Sequence, residues 1–155
     1  MTAGAPREIE RKFLVIGDAW RRKARKPSRI VQGYLARGRK ATVRIRIKDE
    51  RTATLTVKSR EPGASRSEFE YKIPLKHARA LLELSAKGRI EKERYEVPLG
   101  DLVWEVDVFG GRHAGLVVAE IELTSEDAEP KRPAWIGREV TDDPTYRNSN
   151  LADIG

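Results

Sequence analysis

Apolar and polar residues alternate with a period of two along most of this chain, and the polar positions are largely charged. The pattern reads Glu8-Ile9-Glu10-Arg11-Lys12, Arg44-Ile45-Arg46-Ile47-Lys48, Glu68-Phe69-Glu70-Tyr71-Lys72, Glu105-Val106-Asp107 and Glu120-Ile121-Glu122. Side chains two apart on a strand point to one side of a sheet, so each segment has an apolar face and a charged face. Strands are predicted at about 8–16, 30–35, 42–48, 52–59, 67–73, 90–98, 102–109 and 116–123. Turn residues such as Glu61-Pro62-Gly63 and Gly110-Gly111 separate them, and short loops between alternating strands imply antiparallel hairpins.

One helix interrupts the strands. Over 75–87, Ala78, Leu81, Leu82 and Ser85 share a face, and Gly88 stands where a helix would end. A short helix is expected within 17–29 before Pro27, a strand-like run at 137–141, and a terminal helix near 146–152. No repeat or composition break divides the chain, so residues 1–155 are expected to form a single domain.

The expected fold class is α+β, mainly β: an eight-stranded antiparallel closed β-barrel, because closure removes exposed strand edges. The apolar faces (Val43, Ile45, Ile47; Phe69, Tyr71, Ile73; Val117, Ala119, Ile121) would then pack outward against helices. The charged faces would line the lumen. Uncompensated buried charges are costly, so such a lumen must hold water, ions or a charged ligand.

Composition narrows the choice of ligand. Charged residues make up 35% of the chain, above the usual quarter, and the net charge of +7 favours an anionic partner. The absence of cysteine excludes disulfides and thiolate metal sites. The early apolar run Phe13-Leu14-Val15-Ile16 is far too short for a membrane span, which predicts a soluble, cytoplasmic protein with no membrane partner.

Two chemistries share the charged faces. Glu8 with Glu10, and Glu120 with Glu122, would place four carboxylates near one spot if their strands are neighbours, a hard oxygen site suited to Mg2+ or Mn2+. Glu105 and Asp107 extend it as direct or water-mediated ligands. Arg44, Arg46, Lys48, Lys58, Lys92 and Arg94 offer phosphate-gripping groups, and Lys12 shares the face of Glu8 and Glu10. A lone Glu-x-Glu commonly decorates a solvated strand, but here the pair recurs on the first and the last two strands.

Nucleic acid is disfavoured as partner. The expected lumen set holds nine acids (Glu8, Glu10, Glu68, Glu70, Glu96, Glu105, Asp107, Glu120, Glu122) against eight bases (Lys12, Arg44, Arg46, Lys48, Lys58, Lys72, Lys92, Arg94). A surface built only to neutralise phosphates would not carry so many carboxylates. His77 and His113 fall in the helix and in a glycine-rich turn, away from the charged faces, and the three tryptophans read as packing residues.

The segment Glu8-Ile9-Glu10-Arg11-Lys12 resembles the ExExK signature of the CYTH superfamily, the triphosphate tunnel metalloenzymes. The likeness continues through Gln32-Gly33-Tyr34-Leu35, Val43-Arg44-Ile45-Arg46, Leu55-Thr56-Val57-Lys58, Glu68-Phe69-Glu70-Tyr71, Lys92-Glu93-Arg94-Tyr95, Trp104-Glu105-Val106-Asp107 and Glu120-Ile121-Glu122. It closes with Gly137-Arg138-Glu139-Val140-Thr141 and Tyr146-Arg147-Asn148-Ser149-Asn150-Leu151.

The resemblance implies a tunnel that binds a triphosphate-containing small molecule with Mg2+ or Mn2+. Glu8, Glu10, Glu120 and Glu122 are then metal ligands with Asp107 nearby, and Lys12, Arg44, Arg46, Lys58, Lys92 and Arg94 hold phosphates. Glu68, Glu70 and Glu105 position those bases or order water, Tyr34 contacts substrate, and Arg147, Asn148 and Ser149 are placed to plug one end. Lys12, Lys92 and Glu122 are the candidate catalytic residues. The implied activity is hydrolysis of inorganic triphosphate. An adenylate cyclase or thiamine triphosphatase on the same site, a non-catalytic polyphosphate-binding module and an RNA-binding barrel remain alternatives. Whether the protein is a monomer or a homodimer is left open.

Overall fold

A computed structural model describes residues 6–85 and 88–152. Its strands are β1 (Arg7–Val15), β2 (Ser28–Arg37), β3 (Ala41–Lys48), β4 (Thr52–Ser59), β5 (Ser65–Ile73), β6 (Ile90–Leu99), β7 (Leu102–Phe109), β8 (Val117–Glu122) and β9 (Ile136–Glu139). They form one antiparallel sheet in the order β5-β4-β3-β2-β6-β7-β8-β1-β9, and a further β5–β1 pairing closes its first eight strands into a barrel.

Closure falls on β1, whose two edges are used differently. One edge pairs with β8 from Glu10 opposite Glu122 to Leu14 opposite Val118. The other is shared, Arg7 to Ile9 pairing with β5 and Phe13 to Val15 with β9. The short β9 thus covers the stretch of edge that β5 leaves open, as an exposed strand edge requires. Arg11 fastens it there: its guanidinium donates to both oxygens of Glu139 at 2.8 and 2.7 Å and to Glu129 at 3.0 Å.

The apolar core lies largely outside the barrel wall. Phe13, Trp104, Val106, Ala119 and Ile121 point outward and are buried beneath Trp20 of a short 3-10 turn (Ala19–Lys23) and the 124–136 segment. Trp104 meets Phe13 and Trp135 edge-on at 5.5 and 5.9 Å. Burying side chains of this size contributes about 1.5–3 kcal/mol each.

On the opposite side, α1 (Leu75–Leu82) presses Ala78 and Leu82 onto Ile45, Ile47 and Ala53. Gly33 of β2 makes the approach possible, since a Cβ there would lie 3.1 Å from both Leu82 Cδ2 and Ser85 Cβ. The helix is shorter than the periodicity predicts. It ends at Leu82, and residues 86 and 87 lie outside the described part. Gly88 lies beyond the helix, where an added Cβ would fall 3.2 Å from the Ala152 carbonyl oxygen.

Two expectations about the faces need correction. Phe69 and Tyr71 of β5 are exposed rather than packed under a helix, because α1 packs chiefly across β2, β3 and β4. The terminal helix α2 (Asn148–Leu151) does not pack outside. Leu14, Val118, Phe109 and Ile90 each lie two residues from Lys12, Glu120, Asp107 and Lys92, so they share the inward face. Leu151, Ala152 and Tyr146 pack against them and fill this end of the lumen. The lumen is therefore apolar and closed at one end, charged elsewhere.

Candidate active site

The charged stretch of the lumen encloses a cavity of about 250 Å3. Its lining brings together Glu8, Glu10 and Lys12 of β1, Tyr34 of β2, Arg44 and Arg46 of β3, Lys58 of β4 and Glu68 and Glu70 of β5. Lys92 and Arg94 of β6, Glu105 of β7 and Glu120 and Glu122 of β8 complete the ring. Every site residue implied by the resemblance faces this space except Asp107, which lies fully buried just behind it.

Asp107 is held by cations. Arg94 forks onto it, Nε to Oδ1 at 2.7 Å and Nη2 to Oδ2 at 2.9 Å, and Lys92 Nζ lies 2.7 Å from Oδ2. Burial works against its charge, but Arg94 and Lys92 outweigh that and hold its pKa below the usual range. The same burial pulls Lys92 down to about 7, with Asp107 opposing. Lys92 also donates to Asn148 Oδ1 at 3.0 Å, and Lys12 Nζ to the Tyr146 carbonyl at 3.0 Å, so both lysines sit where the charged lumen meets the apolar plug.

The carboxylates divide into two classes. Glu8 pairs with Lys58 at 2.7 Å, and Glu120 sits 3.6 Å from Lys12 and 3.4 Å from Arg94. Burial disfavours the Glu120 anion, yet Lys12, Arg94 and Lys92 hold its pKa well below normal. Glu10 and Glu122, by contrast, stand directly opposite each other on β1 and β8 and form no ion pair among the described residues. Burial and the neighbouring Glu120 charge push the Glu10 carboxyl well above its usual range. Like charges directly opposite on neighbouring strands are unfavourable, and Lys58 and Lys12 offset the Glu10 charge only in part.

The bases divide the same way. Lys58 is matched by Glu8 and Glu68, and Glu10 and Glu8 keep its pKa raised despite its burial. Arg44 and Arg46 form no ion pair among the described residues: Arg44 Nη2 donates to Thr56 Oγ1 at 3.3 Å and Arg46 Nε to Gln32 Oε1 at 2.8 Å. Burial, with Arg44 and Arg94 nearby, lowers Arg46 to about 9, so it still carries its charge at neutral pH. Glu70 accepts from Thr56 at 3.4 Å, and Glu105 lies 3.4 Å from Arg94.

Among the described residues no three carboxylate or imidazole groups are gathered into a ready-made metal cage. The donor set nevertheless suits a hard divalent cation. It is all oxygen, and Glu10 and Glu122 are carboxylates without an ion pair among the described residues.

Several expected lumen residues lie elsewhere. Lys48, Lys72 and Glu96 are exposed and do not line the cavity, and Glu96 pairs instead with Arg25 at 3.5 Å. Alternation fixes the face of a strand but not how far along it the closed lumen extends. Other lining residues went unsingled in the sequence, namely Thr42, Thr56, Ser59, Arg60, Arg66 and Thr141, as did the buried Gln32 that holds Arg46. Gln32 and Thr56 had a signal, since each lies two positions from a predicted lumen residue, Tyr34 and Lys58. Arg60 and Arg66 carried the same signal, two positions from Lys58 and Glu68, but lie just outside the predicted strands beside a turn.

The CYTH domain family matches residues 6–151. The chain is 49% identical over 146 residues to a protein of Acetivibrio thermocellus named inorganic triphosphatase, covering 94% of this chain and 92% of that one. It is 36% identical to an inorganic triphosphatase of Nitrosomonas europaea, covering 94% and 96%. A crystal structure of an inorganic triphosphatase superimposes with a TM-score of 0.65 at 34% identity, over 94% of this chain and 93% of that chain. The barrel, its lumen and these similarities agree: the chain belongs to the CYTH domain family.

Proposed function

We propose that this protein is a metal-dependent triphosphatase that hydrolyses inorganic triphosphate to pyrophosphate and orthophosphate. The observation that carries the reading is the coexistence of two uncompensated sets in one lumen. Among the described residues, Arg44 and Arg46 form no ion pair with a carboxylate, and Glu10 and Glu122 form none with a cation. A polyanion accompanied by a divalent cation satisfies both, and neither alone does. Relatives at 49% and 36% identity that carry the name inorganic triphosphatase support the same reading.

Glu8, Glu10, Glu120 and Glu122 are the residues that would hold Mg2+ or Mn2+, and the bound ion supplies charge neutralisation and a more acidic water. Arg44, Arg46 and Lys58 grip phosphate oxygens, with Lys12, Lys92 and Arg94 on the facing wall. Tyr34 offers a hydroxyl to the same space. Asp107 is assigned as the group that orients Lys92 and Arg94 rather than as a ligand, because both its oxygens are already engaged. Glu68 plays that part for Lys58, Glu105 for Arg94, and Glu70 steadies Thr56 beneath Arg44. In the reaction a water oxygen bonds to the terminal phosphorus, the bridging P–O bond breaks, and pyrophosphate leaves. Lys12, Lys92 and Glu122 are the side chains whose loss stops turnover.

Phosphate release with Mg2+ or Mn2+ from inorganic triphosphate, pyrophosphate, ATP and thiamine triphosphate tests this, with cyclic AMP assayed on the ATP sample. A preference for inorganic triphosphate supports the assignment. Dominant cyclic AMP formation, or metal-dependent binding without phosphate release, overturns it.

A further inference from the structure

Three arginines line the cavity without belonging to the grip just described. Arg60 follows β4, Arg66 lies early in β5, and Arg147 precedes α2. The turn between β4 and β5 touches the C-terminal segment nearby, Gly63 N donating to Asp142 Oδ1 at 3.2 Å.

None of the three forms an ion pair with a carboxylate among the described residues. Arg60 donates to the Gly38 carbonyl at 3.2 Å, and Arg66 to the carbonyls of Glu61 and Gly63 at 3.1 and 3.2 Å. Arg147 has its Nε buried with no hydrogen-bond partner among the described residues. Its pKa is lowered by burial and by the positive charges of Arg66 and Arg60, with Asp142 opposing. The contrast with Lys58, Lys92 and Arg94, each matched by acids, is sharp. Three guanidinium groups lining one cavity, offset only in part by Asp142, form an anion site, since their fork matches phosphate oxygens.

Thr42 and Ser59 line the same cavity, and Thr42 sits opposite Lys58 in the β3–β4 register. The phosphate-gripping wall is thus continuous with the three arginines. We propose that Arg60, Arg66 and Arg147 form an anion subsite beyond the triphosphate grip, which takes the far phosphates of a linear polyphosphate of four or more units. The proposal rests on the triphosphatase reading, and extends it to substrate length. Free orthophosphate shares the chemistry, and the test separates the two.

The test compares tripolyphosphate with tetrapolyphosphate as Mg2+-supported substrates of wild type and of an Arg60→Gln/Arg147→Gln double variant, with melting curves to show that both are folded. An Arg60→Lys/Arg147→Lys variant shows whether positive charge alone suffices. The expected result is a rise of about tenfold in KM for tetrapolyphosphate in the glutamine variant, with tripolyphosphate changed less than about twofold and partial rescue by lysine. Equal effects on both substrates, or none on either, overturn the proposal. So does loss of orthophosphate inhibition with an unchanged KM for tetrapolyphosphate, which would assign the arginines to free phosphate. Should wild type fail to hydrolyse tripolyphosphate, the reaction itself is wrong, and the subsite is then read calorimetrically. There the ratio of tetrapolyphosphate to tripolyphosphate affinity must fall in the glutamine variant.

Discussion

Arg94 and Asp107 face each other across the β6–β7 ladder and are joined by two hydrogen bonds of 2.7 and 2.9 Å, with Lys92 on the same carboxylate. Removing one member of a buried ion pair leaves the others uncompensated, at about 3–5 kcal/mol. Asp107→Asn should therefore lower stability by that order in denaturant melts. The Mg2+ concentration for half-maximal activity should shift little, because Asp107 is assigned to the lysine and arginine. A large shift in Mg2+ requirement with an unchanged melt would make Asp107 a ligand instead.

Glu10 gives the opposite stability response. Its pKa is raised by burial and by Glu120, so the ionised form is disfavoured in the protein without ligand. Glu10→Gln should leave the metal-free protein as stable as wild type or more so, while removing stabilisation by added Mg2+. Thermal melts with and without Mg2+ read both effects. A variant that is less stable without metal, yet still stabilised by it, would rule out this role.

Lys92 predicts a pH dependence with a definite sign. Its pKa falls from 10.5 unfolded to about 7 folded, so between these values the unfolded chain binds more protons. Stability attributable to Lys92 must therefore rise as pH increases from about 7 towards 10. Compared with Lys92→Met, wild type should gain up to about 1.4 kcal/mol per pH unit in that window. Parallel stability profiles for the two proteins would show that Lys92 keeps its proton.

Gly33 is the contact through which α1 approaches the barrel. Gly33→Ala should overpack Leu82 and Ser85 and cost about 1–3 kcal/mol. The charged lumen lies on the other face of the sheet, so kcat/KM on inorganic triphosphate should stay within about twofold at temperatures where the variant is folded. A collapse of activity without loss of stability would place Gly33 in the site.

The barrel was legible because its strands carry an uninterrupted two-residue period, which fixed the faces of Glu8, Arg44, Lys58, Lys92 and Glu120. The ligation of Asp107 was not legible, since period-two spacing puts it on the lumen side but cannot say that Arg94 and Lys92 reach it first. The inward plug escaped the sequence for a related reason. Leu14, Ile90, Phe109 and Val118 continue the charged faces as apolar positions, and a terminal segment of four helical residues gives no periodicity to match them with. Arg60 and Arg66 continue the faces of Lys58 and Glu68 by two positions, but they fall just beyond the predicted strand ends, where tertiary contacts such as Gly63 with Asp142 fix the turn.

The most direct test of the metal-dependent reaction is inorganic triphosphate turnover by wild type and Glu122→Gln at saturating Mg2+, with circular dichroism to compare folds. Glu122 faces Glu10 across β1 and β8 at the cavity lining, without an ion pair among the described residues to be broken. The expected result is Mg2+-dependent phosphate release by wild type, and release reduced to the uncatalysed background by a variant with an unchanged spectrum. Hydrolysis by Glu122→Gln at the wild-type rate would contradict the account.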